Sequence, residues 1–94
     1  MNPFKNFSIN QIRAIEARME KFISAAPEFL KGDPIKMIID SADLMQLLLI
    51  SPSTLRYWRN KNYLPYSRIG NKFFFFLSDI WELLQETKTK NTTH

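Results

Sequence analysis

The chain has no cysteine, which excludes disulfides and thiolate metal sites. Its one histidine, His94, is the last residue and reads as part of a frayed tail rather than as a ligand. With no internal histidine and no Cys/His pair, the usual general bases and activated nucleophiles are missing. Gly32 and Gly70 are the only glycines, so there is no glycine-rich phosphate loop. The carboxylate pairs Asp40/Asp43 and Glu82/Glu86 are explained by helix capping and solvation. These absences lead us to expect a protein that is not an enzyme and that carries no cofactor and no metal. No apolar run approaches the roughly 18 residues of a membrane span. The opening Met-Asn-Pro-Phe-Lys carries no signal-peptide pattern. The expected setting is cytoplasmic, with no membrane partner.

The most telling absence is local. Between Leu44 and Ser78 there is no acidic residue, yet Arg56, Arg59, Lys61, Arg68 and Lys72 lie there. Residues 1–43 hold six basic and six acidic side chains, and residues 79–94 hold two and three. The formal charge of +4 therefore arises in the middle of the chain. A field of one sign over about a third of a small domain attracts a polyanion. Tyr57, Trp58, Tyr63, Tyr66 and the run Phe73 to Phe76 are interleaved with these cations. Nucleic acid is the partner such a mixture suggests. At 94 residues the chain makes one domain with a modest core and room for an arm.

Local signals divide the chain. Ser8 and Gln11 have capping-box spacing, and Phe7 with Ile12 the spacing of a hydrophobic staple. Beyond them Ile12, Ile15, Met19, Phe22, Ala26 and Phe29 recur at alternating steps of three and four. That heptad seam suits either packing on the chain's own domain or a coiled-coil arm that joins two copies. In the second case Ile12, Ile15, Met19 and Phe22 are the dimerisation residues. Glu16, Arg18, Glu20 and Lys21 are expected on the outer, solvated surface. Pro27 breaks or kinks the helix near Ala26, and Lys31-Gly-Asp-Pro34 reads as a turn or linker. A short apolar helix starts at Asp40 or Ser41. A third begins after Ser51, an N-cap, with Pro52 at its first position. On it Leu55, Trp58 and Asn62 share one side, while Ser53, Arg56, Tyr57 and Asn60 form a polar stripe flanked by Arg59 and Lys61. Tyr66–Ile69 and Lys72–Leu77 read as strands joined by Gly70-Asn71, which suits a tight hairpin. One pair of the phenylalanine run, Phe73 with Phe75 or Phe74 with Phe76, should be core. Ser78 caps a closing helix, and Trp58 and Trp81 are expected in the core.

Two short helices with a tight turn, the second carrying a polar stripe, make a helix-turn-helix; the hairpin and closing helix make it winged. The expected fold is thus mainly α with a small β-hairpin. It comprises an N-terminal helical arm and linker at 1–37, the winged helix-turn-helix at 38–87 and a disordered tail at 88–94. A helix fits the major groove, where base edges are distinguishable. Arg56 can reach guanine or phosphate, and Asn60 can pair with adenine. Ser53 and Thr54 sit at a helix N-terminus that favours phosphate. Arg68 and Lys72 flank the hairpin turn and can grip the backbone.

The stretch Leu47–Lys72, with Ser78-Asp-Ile80 after it, resembles the excisionase-type helix-turn-helix family, which is related to MerR-like winged helix-turn-helix proteins. The recognition helix of that group begins similarly to Ser53-Thr-Leu-Arg-Tyr57. The resemblance covers about residues 38–87. The N-terminal arm resembles that of small proteins carried on bacterial mobile elements. The resemblance implies double-stranded DNA binding as a recombination accessory factor beside a site-specific recombinase, or as a small transcriptional regulator. It further implies that Thr54, Arg56 and Tyr57 contact DNA, that Lys72 belongs to the wing and that Ser78-Asp79 opens the closing helix. The chain departs at Phe76 and Leu77, where relatives often place a basic residue, which weakens the case for wing contacts. Two other readings use other surfaces. A single-strand or RNA binder would expose Phe74 or Phe76 for stacking, and a protein-interaction module would act through the N-terminal seam.

Overall fold

A computed structural model describes residues 2–25 and 37–92, with side chains as far as Lys88. The expected break at Pro27, the outer seam positions Ala26 and Phe29, the turn at 31–34 and His94 lie outside the described residues. The fold is mainly helical with one small antiparallel sheet. In chain order it runs α1 (Ile9–Ser24), β1 (Ile38–Asp40), α2 (Ser41–Leu48), α3 (Pro52–Asn60), β2 (Ser67–Ile69), β3 (Lys72–Phe76) and α4 (Leu77–Thr92). Among the described residues no helix is long and apolar enough to cross a membrane.

α1 starts where its capping box places it. Ser8 Oγ accepts from the Gln11 backbone N–H at 3.1 Å, and Gln11 Oε1 accepts from the Ser8 N–H at 2.8 Å. Two donors with no partner inside the helix are thereby satisfied reciprocally. The seam on this helix faces inward. Ile12, Ile15 and Met19 are 0, 1 and 0% exposed, and half-buried Phe22 packs against the same cluster. Of the two readings of this seam, the structure shows the packing on the chain's own domain. Periodicity marks which face is apolar, and α2 and α4 of the same chain already cover it. α1 therefore shares one core with the rest and does not stand off as an arm.

Of the charged residues expected on the outer surface of α1, Glu20 and Lys21 are exposed, whereas Glu16 and Arg18 turn to neighbouring helices. Glu16, expected on the solvated face, is buried. It accepts from Gln85 Nε2 at 2.5 Å and pairs with Lys88 Nζ at 3.3 Å, both on α4. Arg18 Nε donates to the Leu47 carbonyl at 2.7 Å. That carbonyl belongs to the last turn of α2, where acceptors lack helical partners and a cation also meets the negative end of the dipole.

The sheet has three strands in the order β1-β3-β2, where the sequence suggested only the hairpin. β1 pairs antiparallel with β3, with Ile38 opposite Phe76, Ile39 opposite Phe75 and Asp40 opposite Phe74. Period two then sorts the phenylalanines. Phe75 is buried and Phe73 half-buried on the core side; Phe74 is half-buried and Phe76 is 43% exposed on the other. β3 passes straight into α4 at Leu77, one residue before the expected Ser78 cap. The Leu77 N–H donates to the Met37 carbonyl at 2.9 Å, so a contact distant in sequence takes up the first free donor of this helix. α4 continues to Thr92, so residues 88–92, assigned to a disordered tail from composition, are helical. Trp58 is core as expected, whereas Trp81 is 36% exposed.

Candidate nucleic-acid interface

α3 is fixed at both ends by its own sequence. Ser51 Oγ accepts from the Thr54 N–H at 3.2 Å, and Pro52 occupies the first turn. The Thr54 hydroxyl lies 3.1 Å from Ser51 Oγ, so both polar groups of Thr54 near the cap are engaged there. At the other end Asn62 takes the left-handed conformation, φ 58°. The Tyr63 N–H reaches the Trp58 carbonyl at 2.9 Å and the Asn62 N–H the Arg59 carbonyl at 3.0 Å. This is a Schellman ending with asparagine in the place glycine usually takes. The aromatic contact that accompanies it is Tyr57 on Tyr63, edge to face with centroids 6.0 Å apart. The Tyr63 phenol is raised above its ordinary value, first by its hydrogen bond with the Tyr57 side chain and then by desolvation.

The connection from α2 to α3 is tight. Leu49 is left-handed at φ 54°, and the Ile50 N–H returns to the Met45 carbonyl at 3.2 Å. A β-carbon in that region costs about 1–2 kcal/mol. Leu49 is also 72% exposed, so burial does not repay the strain.

The two sides of α3 separate. Leu55 and Trp58 are buried. Trp58 receives Phe4 edge-on at 5.6 Å and Phe7 at 6.2 Å, so the first residues of the chain support the helix from behind. Ser53, Arg56, Tyr57, Asn60 and Lys61 are exposed, and Thr54 is half-buried. Asn62, expected beside Leu55 and Trp58, is instead exposed past the helix end, because the left-handed turn takes it off the helical path. Lys61 Nζ lies 5.8 Å from the Tyr57 ring centroid, one helical turn away.

The hairpin supplies Arg68 and Lys72, both exposed. Ile69 pairs with Lys72 across Gly70-Asn71, with Gly70 at φ 62° as a two-residue hairpin turn of this kind requires. Arg68 Nε donates to the Gly70 carbonyl at 3.1 Å, which holds its guanidinium beside the turn. Arg59 behaves differently from its neighbours. It is half-buried, and its guanidinium carbon lies 3.6 Å from the Phe73 centroid, stacked on the hairpin. Arg68 approaches the same ring at 5.6 Å, and Tyr66 meets its edge at 5.6 Å. Among the described residues Arg56, Arg59, Lys61, Arg68 and Lys72 form no ion pair with a carboxylate.

The structure thus brings the exposed stripe of α3 and the hairpin tip together through Arg59 and Phe73. That stack and the Phe4–Trp58 support were not visible in the sequence, because both depend on how distant segments approach. The left-handed Asn62 had a readable signal, an asparagine just after the last helical turn. Compared with protein-family models, curated proteins and solved structures, the chain shows no match.

Proposed function

We propose that this protein binds double-stranded DNA as a winged helix-turn-helix. α3 would enter the major groove and the β2–β3 hairpin would lie on the adjacent backbone. The observation that carries this reading is the exposed stripe of Ser53, Arg56, Tyr57 and Asn60 on a helix whose other face is buried, inside a segment with no carboxylate. An exposed α-helix with hydrogen-bonding side chains can read base edges, with Arg56 toward guanine and Asn60 toward adenine. Lys61, Arg68 and Lys72 are placed to neutralise phosphates. The resemblance of residues 47–72 to excisionase-type proteins supports a role as a recombination accessory factor of a mobile element. Promoter regulation uses the same surface and is the alternative.

Selection of bound sites from random duplexes, followed by titration at several salt concentrations, tests the reading. Arg56→Ala and Tyr57→Ala should each cost about 1–3 kcal/mol on the selected site. Lys72→Ala should weaken all duplexes alike and lower the salt slope by about one unit. Binding of both α3 variants at the wild-type level would refute the assignment of this face.

A second reading has one observation in its favour. Phe76 is exposed and Phe74 half-buried on the outer face of the sheet, as base stacking on single strands would need. Competition between duplex and single strand for the wild type, with Phe76→Ala beside it, separates the two.

A further inference from the structure

The stack on Phe73 gives Arg59 a task other than offering charge. A planar guanidinium can lie flat on a ring, which an ammonium cannot do. The Arg59 guanidinium carbon lies 3.6 Å over the centre of the Phe73 ring, across the gap between the last turn of α3 and β3. The Arg59 Nε is buried without a hydrogen-bond partner among the described residues. A buried donor left open is unfavourable unless the contact that buries it outweighs the loss. A side chain reaching only for solvent or phosphate would keep that atom wet. At the hairpin tip Ile69, Gly70, Asn71 and Lys72 are all exposed, and the stack on Phe73 is the contact that joins this end of the hairpin to Arg59 of α3. Arg68 is the cross-strand partner of Phe73, and its guanidinium carbon lies 5.6 Å from the same ring, so the two arginines share one aromatic.

We infer that Arg59 is a positioning residue: by stacking on Phe73 it sets the angle between α3 and the hairpin, and so fixes where Arg68 meets the duplex backbone. This rests on the reading of α3 and the hairpin as a duplex-binding surface. It separates Arg59 from Arg56, exposed on the same helix, and from Lys61, exposed at the helix end with its ammonium 5.8 Å from the Tyr57 ring.

Two measurements on the full chain test it. The first needs no DNA. Residual dipolar couplings of amides 67–73 are compared with those of 53–60 in wild type, Arg59→Lys and Arg59→Met, and the ring-current shift of the Arg59 δ-protons is followed in Phe73→Leu. The hairpin should reorient in both arginine variants while the core couplings stay, and the ring-current shift should vanish with Phe73. Unchanged hairpin couplings overturn the inference whatever DNA does.

The second is a double-mutant cycle on a selected duplex. Arg59→Met should weaken binding about tenfold, and Arg59→Lys nearly as much although it keeps the charge. Arg68→Ala added to Arg59→Met should cost less than about twofold more, because the two act together. If Arg59 is itself a phosphate contact, Arg59→Lys binds close to wild type, the two losses multiply, and the double variant loses about one further unit of salt slope. That result overturns the inference. A wild type that binds no duplex refutes the DNA reading instead, and the couplings alone then decide whether Arg59 sets the hairpin.

Discussion

At the α1–α4 end of the molecule, Glu16 accepts from Gln85 and pairs with Lys88, and Arg18 donates to the Leu47 carbonyl. At the α3–hairpin end, Arg56, Lys61, Arg68 and Lys72 meet no carboxylate among the described residues. The first end uses polar groups to join elements: a buried carboxylate with two donors ties two helices, and a cation closes a third helix. The second leaves like charges near one another, and their mutual repulsion opposes folding. Stability alone would favour alternating signs there. A cationic face of this kind suits a polyanionic partner, and the contrast separates residues that hold the fold from residues free to bind.

The largest expected effect breaks the contrast in stability. Ile15→Ala or Met19→Ala should cost about 2–5 kcal/mol by denaturant unfolding, as buried core truncations do. Arg56→Ala, on the exposed stripe, should stay within about 0.5 kcal/mol of wild type. If the α1 variants instead keep full stability and lose self-association in sedimentation, the seam is an interface after all. Next in size is the polar tie. Glu16→Ala should cost about 1–2 kcal/mol, because Gln85 and Lys88 both lose their acceptor. Lys88→Ala should cost less, about 0.5 kcal/mol, since that side chain is 35% exposed.

Between the two regions lies Leu49, strained and exposed. Leu49→Gly should raise stability by about 1 kcal/mol by thermal or chemical unfolding. A loss of stability would mean that Leu49 makes an apolar contact outweighing its backbone strain. The smallest effect concerns Asp43 at the start of α2. Burial first, and the Asp40 charge second, raise its carboxyl above the ordinary value of 3.8. The native state therefore holds this proton more tightly than the unfolded chain does. The resulting contribution is full below the unfolded value and is lost as pH rises through the native one. Unfolding free energies measured from about pH 3 to about pH 6 should show a shallower decline with rising pH for Asp43→Asn than for wild type. Identical slopes would remove Asp43 as the cause.

The legible parts of the fold were those with local causes. Ser8 and Gln11, Ser51 with Pro52, and Gly70-Asn71 each act within four residues, so their helix starts and turn could be read directly. The burial of Leu55 and Trp58 followed from spacing. What failed depended on distant partners. β1 has only three residues and becomes a strand because Phe74–Phe76 pair with it. Ser78 had the better capping composition, but the helix begins at Leu77, whose N–H is taken up by the distant Met37 carbonyl. The seam of α1 showed an apolar face without saying what covers it. Of the nine residues proposed to contact DNA, seven are exposed and Thr54 is half-buried in its cap. Arg59 stood among them for its charge, and only the approach of the hairpin reveals the stack on Phe73.

The most direct measurement is the map of backbone amide shifts when a short duplex carrying a selected site is titrated into the labelled full chain at low salt. The expected perturbations fall on residues 53–61 and 67–73, with the outer face of α1 and the α4 side of the Glu16 tie silent, and they fade as salt is raised. Perturbations centred on α1 and α4, or on Phe74 and Phe76 with 53–61 silent, would contradict the assignment of α3 as the binding helix.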